Sequence, residues 1–155
     1  MNTVSRLTKW DARFLDLAKH VAAWSKDPST QVGAVITRPD HTIASVGYNG
    51  FPRGVEDNPK ALGDRETKLA RTVHAEVNAI LSSKEDIDGC SIYTWPLMPC
   101  SHCAAAIINA GIVQVVAPKP DDSSSWQDSF KHSITMFEQA WVNLVLYTPW
   151  ESNNG

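Results

Sequence analysis

The stretch QVGAVITRPDHTIASVGY, residues 31–48, is the clearest fold signal in the chain. Its two apolar runs, 31–37 and 42–48, are separated by RPDH, in which Pro39 and Asp40 suit a turn. Short apolar runs rich in valine and isoleucine, with a turn between them, are typical of a β-hairpin. The sequence therefore predicts two adjacent antiparallel strands here.

Helices are predicted on both sides of this hairpin. Upstream, Thr8 with Asp11 can form a capping box at the start of a helix whose apolar residues recur every three or four positions: Trp10, Phe14, Leu17, Val21 and Trp24. Downstream, HAEVNAILSS and CSHCAAAIINAG are predicted helices, the second ending at Gly111. A last helix is predicted from apolar residues at the same spacing: Trp126, Phe130, Ile134, Phe137 and Trp141.

Three further strands are predicted at SIYTW, IVQVVAP and VNLVLYT. The segment 49–68 is rich in glycine, proline and charge and is predicted to be a long irregular connection, a feature that is often functional. Strands that alternate with helices indicate an α/β sandwich, with one sheet between helices on both faces. We expect residues 1–155 to form a single domain, because a chain of this length with 43% hydrophobic residues can bury a sizeable core.

The charge of the chain limits the classes of partner. It has 14 basic and 17 acidic residues, a formal net charge of -3, and no long run of like charge. This balance argues against a nucleic-acid or membrane-surface partner, whereas a small anionic ligand needs only a few basic residues. The N-terminus lacks a leader pattern, and no segment approaches the roughly 18 apolar residues of a membrane span. We therefore expect a soluble, cytoplasmic protein.

The segment MPCSHC carries two cysteines at metal-ligand spacing. Cys100 and Cys103 are three positions apart at the start of a predicted helix, so both sulfurs can reach one ion. Helix N-terminal amides favour the thiolate form that binds metal. A catalytic zinc site has three protein ligands and keeps one position open for water. His74, at the start of another predicted helix, supplies a third ligand.

Glu76 follows His74 after one alanine, about 200° further around a helix, so the two side chains point in different directions. We predict that Glu76 does not bind the metal but exchanges a proton with the water beside it. Zinc lowers the pKa of such a water from 15.7 to about 7, and general acid/base catalysis contributes about 10² to 10⁴ in rate. The combination of HxE with PCxxC is the established signature of zinc-dependent nucleobase deaminases.

Other interpretations of the cysteines stay open at this point. A CxxC pair also occurs in thioredoxin-like redox sites, although HxE and Pro99 would then be coincidental. A purely structural zinc needs four protein ligands. His102 lies two positions from Cys100 and is predicted to face away from the metal, and Cys90 is predicted to be a small buried residue.

Four segments together resemble the deoxycytidylate (dCMP) deaminases in order and spacing. They are WSKDPSTQVGAVI, GYNGFPRG, HAEVNAI and PCSHCAAAIINAGI, and the likeness runs from about Trp10 to Val116. The resemblance implies a cytidine-deaminase-like fold, a three-layer α/β/α arrangement with a central five-stranded mixed sheet. It implies hydrolytic deamination of dCMP to dUMP with ammonia release, which feeds dTMP synthesis. It also implies a homo-oligomer, with a hexamer favoured, activated by dCTP and inhibited by dTTP, with Mg²⁺ accompanying the triphosphate effector.

The same resemblance assigns roles to individual residues. It makes His74, Cys100 and Cys103 the ligands of one catalytic Zn²⁺, and it makes Glu76 the proton shuttle between water, the ring nitrogen N3 and the departing amine. The segment 51–73 contains neither the cysteine nor the histidine that hold an additional structural zinc in some members. One zinc ion per chain is therefore expected.

Substrate-binding roles are also implied. Asn49 resembles the residue that hydrogen-bonds the sugar, although an asparagine before Gly50 also suits a turn. Ser25 and Lys26 resemble 5′-phosphate ligands, although solvated residues at a helix end account for them equally well. Three arginines are further phosphate or effector candidates without an order among them: Arg53, Arg65 and Arg71.

The chain departs from the family pattern at two positions near these candidates. Asp27 stands where a cysteine is frequent, and Val77 stands where a glutamate is common. The zinc motif itself follows the family pattern.

Two other functions fit parts of this pattern. A tRNA- or single-stranded-DNA-editing deaminase uses the same zinc motif, but the net charge of -3 argues against it because a polymer substrate requires a basic track. A non-catalytic zinc-binding module is the other alternative. Glu76 argues against that alternative, since a structural site has no use for an unliganded carboxylate.

Overall fold

The hairpin predicted at residues 31–48 forms and makes one edge of a five-stranded sheet in the computed structural model, which describes residues 6–148. The strands are β1 (Gly33–Thr37), β2 (Ile43–Tyr48), β3 (Ser91–Trp95), β4 (Gln114–Pro118) and β5 (Asn143–Tyr147). The helices are α1 (Lys9–Ala22), α2 (Pro59–Gly63), α3 (Arg65–Arg71), α4 (Ala75–Ser82), α5 (Ser101–Asn109) and α6 (Gln127–Gln139).

The sheet is mixed, in the order β2-β1-β3-β4-β5. Strand β1 runs antiparallel to both of its neighbours, whereas β3, β4 and β5 are parallel to one another. The parallel strands are joined by α5 and α6, as parallel pairing requires a crossover connection. The predicted five-stranded mixed sheet is therefore confirmed.

Helices cover both faces of this sheet. Helix α1 packs on one face through Phe14, Leu15 and Ala18, which meet alternate residues of the central strands such as Val35 and Tyr93. Helices α4, α5 and α6 cover the other face, where their small and aromatic side chains meet the intervening strand residues. The alternation follows from the two-residue period of a strand. It confirms the three-layer α/β/α architecture.

The predicted start of α1 is confirmed, but three tryptophans whose spacing contributed to the prediction of α1 and α6 are exposed. The Thr8 hydroxyl accepts the Asp11 N–H at 3.1 Å, and the Asp11 carboxylate accepts the Thr8 N–H at 3.1 Å. Trp24 follows the end of α1 and is 51% exposed. Trp126 and Trp141 flank α6 and are exposed as well, so the sequence spacing overestimated the buried length of both helices.

The prediction that 49–68 is wholly irregular is wrong. Helix α2 begins at Pro59 behind Asn58, whose side chain accepts the Ala61 N–H at 2.9 Å. Helix α3 begins behind Asp64, whose side chain accepts a backbone N–H three residues later. Both starts carry the residues that favour helix initiation, an asparagine or aspartate cap and a proline at the first position of α2. The apolar pattern of the sequence does not reveal these helices, because no apolar period develops over one or two turns.

Gly33 allows α1 to lie directly on the sheet. A Cβ atom added there would lie 2.0 Å from the Ala18 carbonyl oxygen and 2.7 Å from the Ala22 nitrogen. Because both neighbours are backbone atoms, Gly33→Ala is expected to lower the free energy of unfolding by about 3 kcal/mol. In a chain of this length, the melting temperature would fall by roughly 6 to 12 °C.

Thermal unfolding followed by circular dichroism tests this expectation. Gly63→Ala is the control, because a Cβ at Gly63 meets nothing within 4 Å. Equal melting temperatures for the two variants would contradict the close packing of α1 on β1.

Among residues 6–148, the structure contains no helix that is both long and apolar enough to cross a membrane.

Candidate metal centre and active-site cavity

Three side chains from two neighbouring helix starts converge on one point. His74 and Cys100 are the cap residues of α4 and α5, and Cys103 lies in the first turn of α5. The His74 Nδ1 atom is 3.5 Å from the Cys100 sulfur and 3.3 Å from the Cys103 sulfur. All three possible ligand atoms lie within 4.8 Å of one another. The structure thus brings together the three residues predicted to bind metal.

The donor set fits zinc. A tetrahedral zinc ion with Zn–S bonds of about 2.3 Å and Zn–N bonds of about 2.0 Å keeps its ligands roughly 3.5 to 4 Å apart. The two distances from the His74 nitrogen to the sulfurs are within a few tenths of an ångström of that spacing. Two thiolates and one imidazole provide three ligands, which leaves the fourth position of a catalytic zinc site for water. Within residues 6–148, no other group of three or more histidine, cysteine or carboxylate side chains is placed to hold a metal ion.

The two thiols of this group have opposite proton affinities in the metal-free protein. A hydrogen bond with Cys103 lowers the pKa of Cys100 to about 4, since this bond and the contact with His74 outweigh burial. The pKa of Cys103 is raised, because its hydrogen bond to Cys100 and its own burial both favour the thiol. These contacts favour a thiolate on Cys100 and a thiol on Cys103.

In metal-free protein at pH 6, Cys100 is expected to react with iodoacetamide before the other cysteines. It is the thiolate that reacts, and an ordinary thiol with a pKa near 9.0 is almost fully protonated at that pH. Peptide mass spectrometry measures the order of modification, and zinc loading should protect Cys100. Cys90 is the internal control, because burial raises its pKa. Simultaneous labelling of Cys90 and Cys100 would contradict the assignment.

Glu76 lies beside the candidate metal ligands and is not a member of that group. It occupies the first turn of α4, is 4% exposed and lines the same cavity as His74 and Cys100. Burial raises the pKa of Glu76, and its contacts with Cys103 and His74 oppose this rise without cancelling it. A carboxylate with a raised pKa next to an open metal position is suited to accept and return a proton.

These groups face a cavity of about 490 Å³, large enough for a small ligand. Its wall comprises the metal site, the loop before β1, helix α3, the segment before α5 and the start of α6. The residues that line it outside the metal site include Asp27, Ser29, Thr30, Asn49, Arg65, Lys68, Thr72, Trp126 and Phe130.

Asn49 is held rigidly in this wall. Its side-chain oxygen accepts the Val32 N–H at 2.9 Å, and its side-chain amide donates to the Thr30 carbonyl at 2.9 Å. The residue is 6% exposed. An amide has two donor hydrogens and an oxygen with two lone pairs, so each end of Asn49 keeps one position for a ligand.

Ser25 and Lys26 lie outside the cavity lining. The Ser25 hydroxyl is buried, donates to the Asn49 carbonyl at 2.8 Å and accepts the Asp27 N–H at 3.2 Å. The Lys26 ammonium is exposed and pairs with Asp57 at 3.1 Å. In this structure, Ser25 supports Asn49 and Lys26 points toward the segment before α2.

Several residues of the cavity were not distinguished by sequence. Arg65 was one of three equivalent arginines, and the structure places it in the cavity wall, whereas Arg53 and Arg71 lie elsewhere. Lys68 had no motif around it. Trp126 was counted only among the apolar residues whose spacing predicts the last helix. His102 is exposed and outside the ligand group, and Cys90 is buried, as predicted for both.

Comparisons with known proteins agree with this site. The family model described as the cytidine and deoxycytidylate deaminase zinc-binding region matches residues 8–119. An uncharacterized deaminase in the luxG 3′ region of Aliivibrio fischeri is 46% identical over 141 residues, which cover 90% of this chain and 94% of the relative. Deoxycytidylate deaminase of Mus musculus is 37% identical over 149 residues, which cover 91% of this chain and 81% of the relative.

A solved structure shares the fold. The apo dCMP deaminase of cyanophage S-TIM5 has a TM-score of 0.69 and 23% identity, and the match covers 91% of this chain and 99% of the phage chain. The family match spans both halves of the metal site, and the relatives share nearly the whole length of the chain. The chain therefore belongs to the cytidine and deoxycytidylate deaminase family and is a deaminase enzyme.

Proposed function

We propose that this enzyme catalyses the zinc-dependent hydrolytic deamination of dCMP to dUMP with release of ammonia. The observation that carries the proposal is the buried Glu76 carboxylate, which shares a cavity with His74 and Cys100 and is not a member of the ligand group. A relative from mouse is named deoxycytidylate deaminase, and the S-TIM5 enzyme has been solved in complex with dCMP and dUMP. The cavity volume suits one nucleotide of that size.

We propose the following roles for the residues of the site. His74, Cys100 and Cys103 would hold the zinc ion, which supplies a water whose pKa is lowered from 15.7 to about 7. Glu76 accepts a proton from the attacking water and donates it to the ring nitrogen N3. It then takes the proton of the new hydroxyl at C4 and delivers it to the amine, so that the C4–N bond breaks and ammonia leaves. Burial of Glu76 supports both steps, because a raised pKa makes its carboxylate a stronger base and lets the residue hold the proton until it is transferred.

We propose that Asn49 hydrogen-bonds the sugar of the substrate. Its side chain is buried in the cavity wall and is fixed at both ends by the backbone of the loop before β1. A side chain held in this way binds a hydroxyl without losing further conformational freedom. Ser25 contributes by donating a hydrogen bond to the Asn49 carbonyl. Lys26 is proposed as a phosphate ligand, and this role requires its ion pair with Asp57 to break.

The regulatory and assembly properties belong to the same proposal. We propose that the enzyme forms a homo-oligomer, with a hexamer favoured. We also propose that dCTP with Mg²⁺ activates it, that dTTP inhibits it, and that its product feeds dTMP synthesis. The support is the resemblance of the four sequence segments to deoxycytidylate deaminases. Light scattering measures the assembly, and the dCMP rate with and without each triphosphate measures the regulation.

Ammonia release by zinc-loaded protein tests the reaction. The substrates to compare are dCMP, deoxycytidine, dCTP, 5-methyl-dCMP and a short single-stranded DNA. We expect turnover of dCMP and much slower turnover of deoxycytidine. Activity on DNA alone would favour an editing deaminase, and a zinc-loaded protein without activity on any of them would favour a binding module.

A further inference from the structure

Four side chains with carboxyl, ammonium or guanidinium groups line the cavity: Asp27, Arg65, Lys68 and Glu76. Two of them are already paired, because the Lys68 ammonium lies 3.1 Å from the Asp27 carboxylate. Their side chains are only 16% and 10% exposed. The net charge that a ligand meets in the cavity therefore depends on the strength of the ion pair between Asp27 and Lys68.

Asp27 is held in place by more than this ion pair. The oxygen that faces Lys68 also accepts the N–H groups of Ser29 at 2.8 Å and Thr30 at 3.1 Å. Burial raises the pKa of Asp27, but these hydrogen bonds and the Lys68 ammonium together lower it below the ordinary value of 3.8. Asp27 is thus ionised at neutral pH, and its charge cancels that of Lys68.

Arg65 lies one turn before Lys68 on α3 and lines the same cavity. In the part of the chain from 6 to 148, no hydrogen bond or ion pair engages its guanidinium group, whereas Lys68 is paired. A guanidinium offers parallel donors that match a phosphate. The cavity therefore presents one uncompensated guanidinium, from Arg65.

Thr30 connects this charged region to the sugar-binding residue. Its N–H donates to Asp27, and its carbonyl accepts the side-chain amide of Asn49 at 2.9 Å. One peptide segment thus separates the Asp27–Lys68 pair from Asn49. A 5′-phosphate attached to a sugar at Asn49 would lie next to this charged part of the wall.

We propose that this charge balance selects substrates with a single phosphate: Arg65 binds the phosphate, and Asp27 determines specificity by occupying Lys68. The proposal rests on the proposed nucleotide deamination and assigns its specificity. A nucleoside without phosphate leaves Arg65 unused. A triphosphate brings additional negative charge toward the Asp27 carboxylate without a second free cation to bind it.

Steady-state kinetics on four variants test this assignment. Arg65→Ala is expected to raise KM for dCMP by about 10-fold or more and to leave deoxycytidine turnover unchanged, because a charge-assisted pair contributes about 1.5 to 3 kcal/mol. Lys131→Ala removes an equal charge from an exposed position on α6 and serves as the control. An equal loss for dCMP and deoxycytidine in Arg65→Ala would overturn the role of Arg65.

The Asp27 part of the proposal predicts a gain. Asp27→Asn keeps the acceptor oxygen for Ser29 and Thr30 but releases Lys68, so the ratio of kcat/KM for dCTP to that for dCMP should rise about tenfold. The double variant Asp27→Asn/Lys68→Met should reverse this gain, because it removes the released cation. An unchanged ratio in Asp27→Asn, or a gain that persists in the double variant, would overturn the role of Asp27.

Binding of the product separates this inference from the proposed function. Calorimetry with dUMP and deoxyuridine requires no turnover, and Arg65→Ala should weaken dUMP binding about 10-fold without changing that of deoxyuridine. Absence of dCMP turnover in the wild-type enzyme would reject the proposed function alone. Equal affinity of the wild-type protein for dUMP and deoxyuridine would reject phosphate recognition by this cavity.

Discussion

Replacing Glu76 with glutamine is expected to lower kcat for dCMP by at least about 100-fold while one zinc ion per chain stays bound. Glutamine keeps the size of the buried side chain and its place in the first turn of α4. It cannot accept a proton from water or return one to N3 and the amine. Since Glu76 is not a member of the His74, Cys100 and Cys103 group, the metal should be unaffected.

Ammonia release and zinc content, measured on the same preparation, give the two readouts. Glu138→Gln is a matched control, because Glu138 is an exposed residue of α6 and the same change there should alter neither readout. A glutamine variant at position 76 that retains wild-type turnover would remove Glu76 from the mechanism. A variant that loses its zinc would make Glu76 part of the metal site.

Replacing His74 with alanine is expected to abolish both zinc binding and turnover. Two cysteines remain, and two protein ligands are too few for the three-ligand site on which the reaction depends. His74 makes no side-chain capping hydrogen bond to α4, so its removal should cost the helix little. The loss should therefore come from the metal site rather than from unfolding.

Zinc content after gel filtration and far-ultraviolet circular dichroism distinguish these effects. His102→Ala is the control, because His102 is an exposed histidine on the metal-binding helix itself and lies outside the ligand group. It should keep zinc and activity. An active His74→Ala protein with full zinc content would exclude His74 as a ligand.

Helix α5 also receives support from α6, whose Ser129 lies 28 residues after Ser101 in the chain. The Ser129 hydroxyl accepts the Ser101 N–H at 2.9 Å, and the Ser133 hydroxyl donates to the Pro99 carbonyl at 2.8 Å. The first of these bonds satisfies an amide that a helix start leaves unpaired. Helix α6 therefore helps to hold both cysteines in place, although neither serine belongs to any recognisable motif.

Local signals account for the elements that the sequence predicted well. The Thr8 and Asp11 capping box, the RPDH turn and the alternation of apolar runs with helices all depend on neighbouring residues, so they can be recognised without tertiary structure. Short helices were missed for the converse reason. Helices α2 and α3 have good caps but too few residues to develop an apolar period.

The sequence alone predicted the candidate metal ligands and the candidate proton-transfer residue. HxE and PCxxC specify which residues can bind zinc and which carboxylate can move protons, because donor type and helical spacing restrict these roles. Only the tertiary structure decided which charges line the cavity. Arg65 and Lys68 enter it, Ser25 and Lys26 do not, and Asp27 cancels Lys68 across 41 residues of chain. The physical reason is that ion pairing depends on distance in space, and no local pattern records which distant residues the fold brings within about 4 Å.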